Sequence, residues 1–328
     1  SCHKNLHTPE TSNTCHLRIN DTLNECTCNA CINRVASLTQ NHYTRLHGLR
    51  LWSDYHSLFH FLLQIEIFAD LFFNVSKKII VPYFNNLKLS QIEKKSDEFD
   101  FVTLADKNAE EYLAKKLINN FQNIKVIGEE SSFINNLNIN EIDEGYYWTI
   151  DPIDGTKNYI KSNKNFCSMI SLVYQKKPIA AFIYSPISNV LTFSFKNYGT
   201  YNYDLKNKFL KKLIINFKFD FLGTGGAKGI PEVYRSNIIK RLKEHTKRIF
   251  IGSAGIETIY LVNNKVNFII HGRVTPWDHA PFNLVIKEAG GVVLMLRDKT
   301  DYSLSSSGPI LASSNIENWN KIRNLILP

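Results

Sequence analysis

From residue 58 onward the chain carries a clear apolar rhythm. Leu62, Ile65, Phe68, Phe72, Val75 and Ile79 recur at three- and four-residue spacing up to Pro82, which predicts a helix over 58–79. A polar stretch follows, then 100–106, where Asp106 is expected to open a second helix with Ala109, Tyr112, Leu113 and Leu117 on its apolar face. An aspartate at that point suits an N-cap. Residues 125–128 read as a short strand ending at Gly128, and Glu129 and Glu130 follow it as a first helical turn. The apolar run 146–150 reads as a buried strand. It leads into Asp151-Pro152-Ile153-Asp154-Gly155-Thr156, read as a turn, and a helix over 155–159.

The middle of the chain is strand-rich. Residues 166–174, 179–184, 190–195 and 199–203 read as strands, punctuated by Pro178, Pro186 and Gly199. Their polar/apolar alternation is weak and their apolar content high, so at least one face of this sheet is expected to be covered. The last third alternates between strand and helix: strands at 219–223, 248–251, 266–270, 292–296 and 310–312, and helices at 233–243, 256–262, 276–289 and 319–326. Gly290-Gly291 is a fitting stop for the third of those helices. The pattern is mixed α/β (α+β), without internal repeats.

Residues 1–57 have a different character. They hold five of the six cysteines and six of the ten histidines, with poor apolar periodicity. The run Cys26-Thr27-Cys28-Asn29-Ala30-Cys31 contains one C-x-x-C pair, whereas structural zinc ordinarily takes two spaced pairs. This segment is expected to be a poorly ordered extension, with the folded domain over 58–328. Cys167 stands alone in the remainder and reads as a buried strand residue, so the large part is no disulfide scaffold and suits a reducing cytoplasm. The first residues carry no apolar core with a cleavage site, so no secretory leader is expected. No apolar run reaches the roughly 18 residues of a membrane span. The net charge of +9 comes from scattered basic residues with short clusters at 206–212 and 240–248. That distribution favours attraction of an anionic metabolite over a nucleic-acid interface.

The chemistry centres on the carboxylates. Asp151 and Asp154 lie three apart where a strand ends, with the Ile153 carbonyl between them. Hard cations such as Mg2+ take oxygen ligands of this kind. Two such ions bridging a phosphate make a water nucleophilic, and more acids are then needed than one turn supplies. Glu129 and Asp278 each follow a strand and precede a helix, which makes them the natural additions.

Three motifs, Gly128-Glu129-Glu130-Ser131, Asp151-Pro152-Ile153-Asp154-Gly155-Thr156 and Trp277-Asp278-His279-Ala280-Pro281, resemble the signatures of the inositol monophosphatase superfamily, in the family's order. The likeness spans about 58–328. It implies a layered αβαβα sandwich, commonly a homodimer, and a Mg2+-dependent, lithium-sensitive phosphatase of a small phosphorylated metabolite. By that resemblance Glu129, Asp151 and the Ile153 carbonyl would hold a first Mg2+, and Asp151, Asp154 and Asp278 a second. A third, weaker ion would use Glu129 and water. Thr156, partnered by Asp106, would position or deprotonate the attacking water. The Gly155 and Thr156 amides would hold the phosphate, and Gly252-Ser253-Ala254 would line the substrate pocket through Ala254. The resemblance favours an inositol-1-phosphate-like polyol phosphate. A 3'(2'),5'-bisphosphate nucleotidase, a histidinol-phosphatase and a non-catalytic binding protein on the same fold are the other readings. One departure stands out. Where inositol-specific members place a hydroxyl-binding acid, seven residues before the last metal aspartate, this chain has His271. His271 is expected either to meet a second anionic group or to sit exposed at the rim. His279 occupies a variable motif position and is expected at the surface.

Overall fold

The computed structural model describes residues 57–95, 101–134, 142–216 and 220–327, with side chains from residue 64 except at 133 and 134. The Cys/His-rich segment and its zinc question lie outside these residues, as do Asp100 and the first position of the strand expected at 219–223.

Helix α1 (Ser57–Val75) runs into a π-helical turn, Ser76–Ile80, and ends near Pro82 as its apolar rhythm predicts. Strands β1 (Ile92–Lys94) and β2 (Phe101–Thr103) form a small antiparallel pair. Helix α2 (Leu104–Asn120) follows. It opens two residues earlier than expected, because Thr103 rather than Asp106 is the N-cap. Asp106 is the third helical residue and completes a capping box with Thr103.

Among the described residues the larger sheet has seven strands, in the spatial order β3 to β9. They are β3 (Lys125–Gly128), β4 (Tyr146–Asp154), β5 (Cys167–Tyr174), β6 (Lys177–Ser185), β7 (Val190–Phe195), β8 (Gly199–Asp204) and β9 (Phe209–Leu213). Short helices α3 (Glu129–Ile134) and α4 (Thr156–Ile160) follow β3 and β4. Strand β9 shows no alternation of apolar and polar residues. Leu213 is its one buried residue and Lys211 and Lys212 are exposed, as suits an edge strand. Pro178 lies inside β6, opposite Val173, where the register with β5 shifts.

The smaller sheet has the order β11-β10-β12-β14-β13. It is built from β10 (Leu222–Gly226), β11 (Lys247–Arg248), β12 (Phe268–His271), β13 (Val292–Met295) and β14 (Ile310–Ser313). Its helices are α5 (Glu232–His245), α6 (Ala254–Val262), α7 (Pro276–Glu288) and α8 (Ile316–Ile326). Thr224-Gly225-Gly226 belongs to β10 instead of following it. These residues pair with β12, and space explains two of the glycines: a Cβ on Gly223 would run into the Phe268 ring and one on Gly225 into the Ile270 carbonyl.

Among the described residues, three apolar clusters define five layers. One joins α1 and α2 to the outer face of the large sheet, with Phe68 stacked on Phe182 at 3.8 Å. The second lies between the sheets around α6 and α7. The third packs α5 and α8 on the far face of the small sheet around Trp319. This is an αβαβα sandwich. Along β6, Ala180, Phe182 and Tyr184 enter one cluster while Ala181 and Ile183 enter another. Both faces are dry, which is why the sequence shows little alternation there.

Candidate active site

The site forms where the end of β4 meets the starts of α3, α4, α6 and α7. In a regular strand, residues three apart face opposite sides. Here Asp151 pairs with Met169 and Asp154 with Cys167, so β4 carries one residue more than β5 across this step. That bulge re-aims the strand end and brings both aspartates to one side. Asp278 arrives in the first turn of α7, behind Pro276 at the helix start. Carboxylate oxygens of Asp151, Asp154 and Asp278 all lie within 4.8 Å of one another.

Each acid is held by a different device. Asp154 is buried. Its Oδ2 accepts from Ser253 Oγ (2.5 Å) and the Gly255 N–H (2.7 Å), and its Oδ1 from the Ala254 N–H (3.1 Å). Ala254, expected to line the substrate pocket, thus gives its amide to the aspartate. The Cys167 thiol lies 3.4 Å from the same carboxylate, buried and pushed to a higher pKa by that burial, so it is no thiolate nucleophile. Glu129 opens α3, whose start is fixed by buried Glu110. That carboxylate accepts from the N–H groups of Glu130 (2.7 Å) and Ser131 (2.8 Å). Lys95 bridges Glu129 and Glu130, at 2.8 Å from each.

Asp151 differs. It is buried, and its Oδ1 has no hydrogen-bond partner among the described residues. Burial, then the charges of Glu129, Asp278 and Asp154, push its carboxyl well above the ordinary carboxylate range. Burial and Asp278 push Asp154 up to about 7. Glu129 is raised by burial, against the pull of Lys95. A buried carboxylate oxygen without a partner, among acids that repel one another, fits a hard divalent cation.

Beside this cluster, Thr156 Oγ1 lies 3.3 Å from Asp106 Oδ1 and 3.1 Å from the Ile153 carbonyl. Asp106 also accepts from the Thr103 N–H (2.8 Å) and from the Thr103 hydroxyl. Burial raises its pKa to about 6, against those hydrogen bonds. Gly155, the N-cap of α4, has φ +90°, and a Cβ there would stand 2.9 Å from the Asn165 carbonyl. Only glycine combines that backbone with that space.

The two histidines depart from expectation. His279 is buried at 3% exposure, not at the surface. It follows Asp278 on α7, and α7 sinks between the sheets, so the motif position faces the core. The His271 side chain is only 13% exposed, so it does not sit exposed at the rim. Its ring nitrogens meet Glu257 (2.7 Å) and His279 (2.9 Å).

A profile of the Inositol monophosphatase family matches residues 65–326. The chain belongs to this family. An inositol monophosphatase of Dictyostelium discoideum is 31% identical over 222 residues, spanning 64% of this chain and 76% of the relative. A Nus factor SuhB of Vibrio cholerae is 28% identical over 238 residues, spanning 70% and 83%. Among solved structures, an IMPase of Thermotoga maritima superposes with a TM-score of 0.67 at 20% identity, covering 80% of this chain and 96% of its own. That likeness speaks for the fold.

Within this inositol monophosphatase-family site, reading the sequence missed Lys95, Glu110, Ser253 as a ligand of Asp154, and Glu257. Glu110 had a usable signal. It lies four residues after Asp106, on the same buried face of α2 as Ala109 and Leu113. Lys95 had none, since it stands in a polar stretch without pattern.

Proposed function

We propose that this protein hydrolyses a small phosphate monoester with Mg2+ as cofactor. The observation that carries the reading is the convergence of Asp151, Asp154 and Asp278, with one buried oxygen unpartnered, beside the Thr156–Asp106 pair. Asp151, Asp154, Asp278 and Glu129 would hold the ions, with the Ile153 carbonyl beside them. Bound there, Mg2+ neutralises phosphoryl charge and acidifies water. The protein's own groups do the rest. Thr156 Oγ1 orients the attacking water and relays its proton toward Asp106 Oδ1, whose buried carboxylate is an acceptor above about pH 6. The Gly155 and Thr156 amides, at the start of α4, would hold the ester phosphate.

The leading substrate is an inositol-1-phosphate-like polyol phosphate. Support comes from the family and from relatives named inositol monophosphatase and, in Thermotoga maritima, fructose-1,6-bisphosphatase/inositol-1-monophosphatase. One solved neighbour is an IMPase/NADP phosphatase complexed with Mg2+ and phosphate, and another holds 2'AMP. A second reading has its own support. The position carries a histidine in place of an acid, and both His271 ring nitrogens are engaged within the protein, so no side-chain atom there is left to accept polyol hydroxyls. This favours a bisphosphate nucleotide or histidinol phosphate. The proposal includes a homodimer in the cytoplasm without a nucleic-acid or membrane partner. Among the described residues no helix is long and apolar enough to cross a membrane. It also assigns residues 1–57 no part in catalysis.

The test is phosphate release from inositol-1-phosphate, histidinol phosphate, fructose-1,6-bisphosphate and adenosine 3',5'-bisphosphate, with and without Mg2+. Mg2+-dependent, lithium-inhibited release from one of them is the expected result and names the substrate. Folded protein that releases phosphate from none would overturn the reading in favour of a non-catalytic binding protein.

A further inference from the structure

His271 ends β12 and joins two helices. Its Nε2 lies 2.7 Å from Glu257 Oε2 on α6, and its Nδ1 lies 2.9 Å from His279 Nε2 on α7. The Thr275 N–H, at the cap of α7, points at His279 Nδ1 at 3.0 Å. Glu257 is 3% exposed, and its other oxygen accepts from the Gly252 N–H at 3.3 Å. Phe282 packs against both imidazoles, with ring centroids 5.3 and 5.5 Å away.

Counting protons gives this row a direction. A backbone N–H only donates, so His279 Nδ1 must present a lone pair. The proton of the neutral ring is then on Nε2, and it donates to His271 Nδ1. His271 in turn carries its proton on Nε2 and donates to Glu257. No ring nitrogen remains for a substrate.

The two ends of the row lie beside two of the clustered acids. Gly252 precedes Ser253, Ala254 and Gly255, which together hold Asp154. His279 follows Asp278. We propose that Glu257, His271 and His279 are positioning residues, a hydrogen-bond row of fixed direction that sets Asp154 and Asp278 at the spacing needed to share a divalent ion. The positioning role rests on the metal-site reading above; the direction of the row does not.

The experiment compares wild type, His271→Gln and His271→Leu for Mn2+ binding, followed by electron paramagnetic resonance without substrate. Glutamine keeps an amide donor toward Glu257 and a carbonyl acceptor toward His279, whereas leucine keeps neither. The expected result is a loss of about 10- to 100-fold in Mn2+ affinity for His271→Leu, the usual range for groups that orient metal ligands. His271→Gln should stay within a few-fold of wild type. Equal losses in both variants, or none in His271→Leu, would overturn the positioning role. The metal-free wild type gives a second readout that needs no variant to fold. Its 15N spectrum at pH 8 should show His271 and His279 both as the Nε2–H tautomer, and an Nδ1–H tautomer at either would overturn the row itself. A wild type with that signature but no Mn2+ binding would overturn the metal-site reading, and the positioning role with it.

Discussion

Asp151→Asn should make the metal-free protein more stable while removing its response to Mg2+. Asp151 is buried among Glu129, Asp278 and Asp154, and its carboxyl is raised well above its ordinary value of 3.8. A carboxyl that stays protonated in the fold but ionises when unfolded disfavours folding by about 1.36 kcal/mol per pH unit above that value. At pH 7 the ceiling is therefore ~4 kcal/mol. Coulomb's law gives the same order: unit charges at the cluster's 4.8 Å limit repel by about 3–4 kcal/mol at an effective dielectric of 20. Asparagine removes this cost but buries an amide N–H at a further cost of about 1–3 kcal/mol. The net gain expected in EDTA near pH 7 is about 1–3 kcal/mol, or several degrees in Tm.

The sign with pH is fixed. A raised carboxylate contributes its stability below the unfolded pKa and loses it as pH rises through the folded value. The variant's advantage should therefore widen as pH rises, shrink as pH falls, and turn into a deficit of about 1–3 kcal/mol near pH 4, where only the cost of the buried amide remains. Saturating Mg2+ should invert the order, since an ion at 100 times its Kd stabilises the wild type by about 2.7 kcal/mol. The assay is thermal unfolding from pH 4 to 8, in EDTA and in Mg2+, with turnover measured alongside and expected to be abolished. Coincident curves in EDTA at every pH, or equal Mg2+ stabilisation of both proteins, would refute the reasoning.

Thr156→Val, which removes the hydroxyl facing Asp106, should lower kcat by about 10²- to 10⁴-fold while Mg2+ still raises Tm; unchanged turnover would remove Thr156 from the reaction. Lys95→Met strands two carboxylates around a side chain only 3% exposed. In EDTA at pH 8 it should destabilise by about 3–5 kcal/mol, less near pH 5 where the carboxyls protonate, and a pH-independent loss would count against the ion pairs. Gly128→Ala places a Cβ 2.2 Å from the Glu110 carboxyl, which must then release the N–H groups that start α3. Denaturant unfolding should show a loss of about 2–4 kcal/mol, and a stable variant would mean that Glu110 can move aside freely.

The sequence by itself determined the acids and the elements that bear them. β3 and β7 run over the residues their apolar runs predict, and the helices opening near Glu129, Thr156 and Asp278 are where the motifs put them. These features are local. A strand run, a turn proline and a first-turn acid act over a few residues, so composition and spacing record them. The tertiary structure alone decided which atoms each acid meets. The bulge in β4 turns Asp151 and Asp154 to one side, but it exists only against β5. Asp154 is held by a helix start 100 residues further on, and Lys95 reaches Glu129 across 34. His279 is a surface histidine by motif and a core histidine by packing, because α7 lies between two sheets. His271 looks like a substrate contact until its partners, 14 residues before it and 8 after, take both ring nitrogens. Hydrogen-bond direction and burial depend on neighbours that the fold brings together, and no local pattern encodes them.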